Sequence, residues 1–135
     1  MKIKRVEHVA IAVKDMPNSM AMLEHIFGLK LEYQEQIGTT KLAMYPVGET
    51  SLELLEAAAP DSGVAKWIAE NGESLFHLCF EVDDIDAALA ELRQKGIKLL
   101  DESPRTGHAG SRVAFLDPQS TGNILIELAE LPAGH

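Results

Sequence analysis

Basic residues are scarce in this chain: 12 Lys and Arg stand against 21 Asp and Glu, a formal charge of −9 at pH 7. Affinity for a phosphate backbone depends on clustered Lys and Arg, so this balance argues against a nucleic-acid partner. It does not exclude a small anionic substrate, because a local basic patch can coexist with an acidic surface. A lone cysteine, Cys79, rules out an internal disulfide. There is no run of about 18 apolar residues and no N-terminal apolar stretch of the signal type, so no membrane partner is expected and the protein reads as soluble and cytoplasmic. Low-complexity segments are also missing, and only the last few residues read as disordered.

At 135 residues the chain has room for one domain with a real core and hardly for two independent ones. Within it, the sequence repeats itself. His8 opens Val9-Ala10-Ile11-Ala12-Val13, and 69 residues later His77 opens Leu78-Cys79-Phe80-Glu81-Val82. Acidic turns at Asp15 and Asp84 follow, then matching apolar positions: Met16 with Ile85, Met20 with Leu89, Leu23 with Leu92. At Gly28 and Gly96 the offset shortens by one residue, and further on Lys41-Leu42-Ala43-Met44 answers Arg112-Val113-Ala114-Phe115, and Glu53-Leu54-Leu55-Glu56 answers Glu127-Leu128-Ala129-Glu130. Self-similarity of this extent implies two copies of one supersecondary unit.

The pattern predicts a strand over 3–13 and a helix over 15–27 with Asp15 as N-cap, an apolar stripe at 16, 20, 23 and 27, and Gly28 as its stop. Strands near 29–36, 40–47 and 50–56 complete a βαβββ module over 1–56. A linker over 57–73 holds a short helix around Val64, Trp67 and Ile68. The second module, 74–130, has a strand from 74, a helix from Asp84 to about Lys95, and strands near 97–101, 111–116 and 123–129. The fold class is α+β. The two modules, related by a pseudo-twofold, are expected to form one curved mixed sheet around a central metal site, with helices outside.

Strand side chains alternate faces. Val9, Ile11 and Val13 form the bulky face of the first strand, leaving His8 opposite; Leu78, Phe80 and Val82 leave His77 opposite. By the same rule Glu53 faces away from Leu52 and Leu54, and Glu127 away from Ile126 and Leu128. Two imidazoles and two carboxylates repeated in this way suit a borderline divalent ion with open positions, rather than a closed thiolate zinc site. His25 and His108 have no partner in the repeat and are left out of the site.

With these residues in place, the chain resembles the vicinal oxygen chelate superfamily. Within it the chain is similar to the methylmalonyl-CoA epimerase family, on His8–Val13, Ser51–Glu56, Pro60-Asp61-Ser62, Phe80–Ile85 and Asp117-Pro118 through Leu128. The resemblance implies one divalent metal ion (Co, Mn, Ni or Zn) on His8, Glu53, His77 and Glu127, an acyl-CoA substrate, and a homodimer. It also implies epimerisation by proton abstraction at C2 through a metal-stabilised enediolate, with Glu127 or Glu53 as candidate base. A glyoxalase I-like lyase and a ligand-sequestering relative are the alternatives. Where some members carry a further glutamate after Gly38, this chain has Lys41. Where many carry a second histidine before the ligand histidine, it has Phe76. By alternation Lys41 and Arg112 are expected on the ligand face, either holding the substrate carboxylate or only balancing nearby acids. The loop Pro104–Ser111 reads as a phosphate contact, a pocket cover or a plain turn.

Overall fold

The computed structural model describes residues 1–134; of the last few residues, expected to be disordered, His135 lies outside the described residues. The chain divides by contact into two compact units, one of His8–Phe76 and one of Met1–Glu7 with the chain from His77 on. The first seven residues therefore group with the second repeat, and the linker helix groups with the first. No helix among the described residues is long and apolar enough to cross a membrane.

In the unit of His8–Phe76, strand β1 (Ile3–Ala12, from His8 onward) pairs in parallel with β4 (Thr50–Ala57), which runs antiparallel to β3 (Thr40–Val47), itself antiparallel to β2 (Tyr33–Ile37). Helix α1 (Met16–Phe27) starts where Asp15 accepts the N–H of Asn18 and stops at Gly28, whose φ of 67° is the left-handed conformation glycine adopts without strain. Met16, Met20 and Leu23 pack on Ile11, Val13, Ala43, Tyr45, Leu52 and Leu54. Phe27, placed in the stripe by the sequence pattern, is instead 65% exposed. The strand foreseen from 29 begins only at Tyr33, because the helix end claims that backbone: Gly28 N–H donates to Glu24 O and Leu29 N–H to Leu23 O.

The opposite face of this sheet is not bare. Helix α2 (Gly63–Asn71), capped by Ser62, lays Val64, Trp67 and Ile68 on Ala10, Ala12, Leu42, Met44 and Leu55. His8 and Glu53 alternate onto this same face.

The other unit repeats the plan. Strand β5 (Ser74–Val82) pairs in parallel with β8 (Ile126–Glu130), and β8 pairs antiparallel with β7 (Arg112–Phe115). Helix α3 (Ile85–Gln94), capped by Asp84, buries Ile85, Ala88, Leu89 and Leu92 against Val82, Ala114, Leu116 and Leu128. Cys79, Val113 and Ala129 form the small core of the other face. The strand expected over 97–101 is reduced to a bridge between Leu99 and Leu116. Asp101 interrupts it, since its side chain rather than its backbone takes the Phe115 N–H. The regular edge strand lies further on, as the two residues of β6 (Arg105–Thr106) on β7.

Candidate functional site

Each unit places one histidine and one glutamate against each other, and both pairs are buried. In one unit His8 Nε2 lies 3.2 Å from Glu53 Oε1; in the other His77 Nε2 lies 3.1 Å from Glu127 Oε1. The strand register explains the match: Ala10, two past His8, stands opposite Glu53, and Cys79, two past His77, stands opposite Glu127. Each glutamate thus reaches one step diagonally to its histidine.

The donor set fits a divalent ion. Neighbouring ligands about 2.1 Å from a metal stand about 3.0 Å apart in an octahedral shell and about 3.4 Å apart in a tetrahedral one, and both pairs fall within that interval. Carboxylates this deeply buried also carry a large desolvation penalty that a cation offsets.

Lys41 and Arg112, expected on the ligand face, lie on the helix side instead. Lys41 Nζ is 3.9 Å from Glu56 Oε1. Arg112 grips Asp86 of α3 through Nη1 at 2.7 Å and Nη2 at 3.1 Å, with Glu130 Oε2 at 3.7 Å. The Arg112 hydrogen bond holds the Asp86 carboxyl below the usual range, and Asp86 in turn raises the guanidinium. Alternation misled here because both faces of β3 and β7 are apolar. Ala43 and Tyr45, or Ala114 and Leu116, take the helix side, while Leu42 and Met44, or Val113 and Phe115, take the other.

A further pair was missed. His108 Nε2 sits 2.8 Å from Glu7 Oε1, both side chains buried. Its sequence signal is weak, because the partners are about a hundred positions apart and Phe76 stands where the repeat would place a second Glu7. Glu7 is also flanked by Arg5, whose Nη2 is 3.9 Å away and whose Nε bonds Glu81 Oε1 at 2.6 Å.

A profile of the glyoxalase/bleomycin resistance protein/dioxygenase superfamily matches residues 7–115. The mitochondrial methylmalonyl-CoA epimerase of Homo sapiens is 33% identical over 129 residues, 93% of this chain and 73% of that protein. An ethylmalonyl-CoA/methylmalonyl-CoA epimerase of Cereibacter sphaeroides is 31% identical over 134 residues, 96% of this chain and 99% of that one. Among solved structures, a Streptomyces coelicolor methylmalonyl-CoA epimerase variant in complex with 2-nitronate-propionyl-CoA superposes with a TM-score of 0.94 at 33% identity, covering 98% of this chain and 97% of the other.

Proposed function

The chain belongs to the glyoxalase/bleomycin resistance protein/dioxygenase superfamily and is an isomerase of its epimerase branch, and we propose that it interconverts (2R)- and (2S)-methylmalonyl-CoA. The observation that carries this reading is the buried His–Glu pair that the repeat places at matching strand positions in each unit, His8 with Glu53 and His77 with Glu127. His8, Glu53, His77 and Glu127 would hold a divalent ion (Co, Mn, Ni or Zn), which when bound would supply an electrophile for the substrate's oxygens.

The chain's own part is to move one proton. The C2–H bond breaks, its electron pair passes into the thioester carbonyl to leave an enediolate, and a proton returns to C2 from the opposite side. Glu53 and Glu127 are the carboxylates assigned to this transfer.

The test is proton exchange at C2 of methylmalonyl-CoA in D₂O, with chelated protein and then with each metal restored. Metal-dependent deuterium incorporation with inversion of the centre is expected. No exchange with any of the four metals sinks the reading, and turnover of a glutathione hemithioacetal in its place identifies a glyoxalase-type lyase. Metal content gives a second check. One ion per chain, lost in His8→Ala and in His77→Ala alike, is expected; two ions, one lost in each variant, would make the pairs separate sites.

A further inference from the structure

The ligand face of the second unit also carries a cation. Strand β6 pairs Arg105 directly with Val113, so the two side chains share a face. Val113 packs with Cys79 and Ala129, and Phe115, two residues on, stands opposite Glu127. Arg105 therefore emerges at the edge of the surface that holds His77 and Glu127, where Lys41 and Arg112 do not.

Its position is fixed by two neighbours. The guanidinium carbon lies 5.5 Å from the Phe115 ring centre, and that ring meets the His77 imidazole edge-on at 5.0 Å and 86°. Asp101 holds both partners of the stack: Oδ2 accepts the Phe115 N–H at 2.8 Å, and Oδ1 accepts from Arg105 Nε at 3.3 Å. Behind the strand the loop is closed by Gly107 N–H donating to Ser111 O at 2.8 Å. With Nε tied to Asp101 and the guanidinium carbon over an aromatic ring, the two Nη groups are the donors left for a ligand. The side chain is 57% exposed, and those two groups have no partner among the described residues. The other arginines are committed to protein acceptors: Arg5 to Glu81, Arg93 to Glu102 and Arg112 to Asp86.

Methylmalonyl-CoA brings a carboxylate and several phosphates to a protein whose own charge is −9. Long-range attraction is therefore absent, and a local donor is needed. A planar guanidinium fork matches either oxyanion through two parallel hydrogen bonds, and stacking on a ring preorganises it. We propose that Arg105 is the receptor for an oxyanion of the acyl-CoA substrate, and so a determinant of substrate specificity. This rests on the reading above and replaces the substrate-holding role first expected of Lys41 and Arg112.

Calorimetric titration of the metal-loaded protein tests it, with malonyl-CoA, malonyl-pantetheine (no phosphates) and acetyl-CoA (no carboxylate). Arg105→Gln is expected to bind malonyl-CoA roughly ten- to hundredfold more weakly than wild type, with metal content and melting temperature unchanged. Arg105→Lys, which keeps the charge without the fork, should recover only part of the loss. A loss that persists with malonyl-pantetheine and vanishes with acetyl-CoA identifies the carboxylate as the bound group; the reverse identifies a phosphate. An Arg105→Gln affinity for malonyl-CoA within about twofold of wild type overturns the receptor while leaving the epimerase reading intact, and an equal loss on all three ligands overturns it as a general defect. A wild-type protein that binds no acyl-CoA removes both.

Discussion

The backbone N–H of Met16 donates to Glu56 Oε2 at 2.6 Å, tying the first residue of α1 to strand β4 of its own unit. Ile85 and Glu130 repeat the contact at 3.1 Å between α3 and β8. The first N–H groups of a helix have no partner within it, and a carboxylate there also meets the positive end of the helix dipole. Asp15 and Asp84 take the N–H groups of Asn18 and Ala87. Glu56 and Glu130 thus answer donors that the N-caps leave over.

Glu56→Ala and Glu130→Ala are each expected to lower unfolding stability by about 1–2 kcal/mol. The corresponding Gln variants, which keep an acceptor, should lose less. Urea midpoints measure this, and metal content should stay unchanged because neither acid faces a histidine of the site. Midpoints equal to wild type would show that these contacts contribute nothing.

Tyr45 is fully buried and donates through its hydroxyl to Glu24 Oε2 at 2.6 Å. Burial first, then that hydrogen bond and the Glu24 charge, raise its phenol above the ordinary value of 10.0. The folded protein holds this proton more tightly than the unfolded chain does. The resulting stability is therefore intact below about pH 10 and is lost as pH climbs toward the folded value. Wild type should lose stability above pH 10 more steeply than Tyr45→Phe, measured by urea unfolding across an alkaline series. Parallel slopes would contradict the assignment.

Gly107 has no room for a side chain. A Cβ there would lie 2.6 Å from Val113 Cγ1 and 3.0 Å from both Val113 Cγ2 and Ser111 Oγ. Val113 is itself packed with Cys79 and Ala129 and has little freedom to move. Gly107→Ala is expected to cost about 1–3 kcal/mol, read as a shift in the denaturant midpoint, whereas Gly48→Ala, which meets no neighbour and strains only its turn, should cost about 1 kcal/mol. Equal shifts for the two would place the Gly107 effect in backbone freedom rather than packing.

The two helices of the repeat, α1 and α3, and their N-caps were legible in the sequence, because Asp15 and Asp84 stand before apolar stripes of helical period and Gly28 follows the first. The strand face shared by His8 with Glu53, and by His77 with Glu127, was legible for a different reason. A repeat tests each position twice, so a polar residue that recurs on one strand face is separated from chance. Lys41 and Arg112 recur as well, yet their face was misread, since polarity cannot reveal orientation on a strand that is apolar on both sides. Glu7 with His108 was beyond reach, as was the stack of Arg105 on Phe115. The first joins distant segments, the second depends on the displaced edge strand, each occurs in one unit only, and neither periodicity nor spacing encodes them. The edge strand moved from 97–101 to Arg105–Thr106 because a side-chain carboxylate, that of Asp101, replaced a backbone acceptor.

Glu53 and Glu56 stand three apart on one strand, as do Glu127 and Glu130. On a strand an odd separation sends two side chains to opposite faces, so one acid of each pair meets a histidine while the other holds the start of a helix. Adding or removing one residue between them would bring both acids to the same side and forfeit one duty or the other. The two intervening residues are under no such constraint beyond being apolar: Leu54-Leu55 in one unit, Leu128-Ala129 in the other. In the descent of this duplicated chain, those two short segments are free to drift in identity but not in length, and an alignment that opens a gap there is an error.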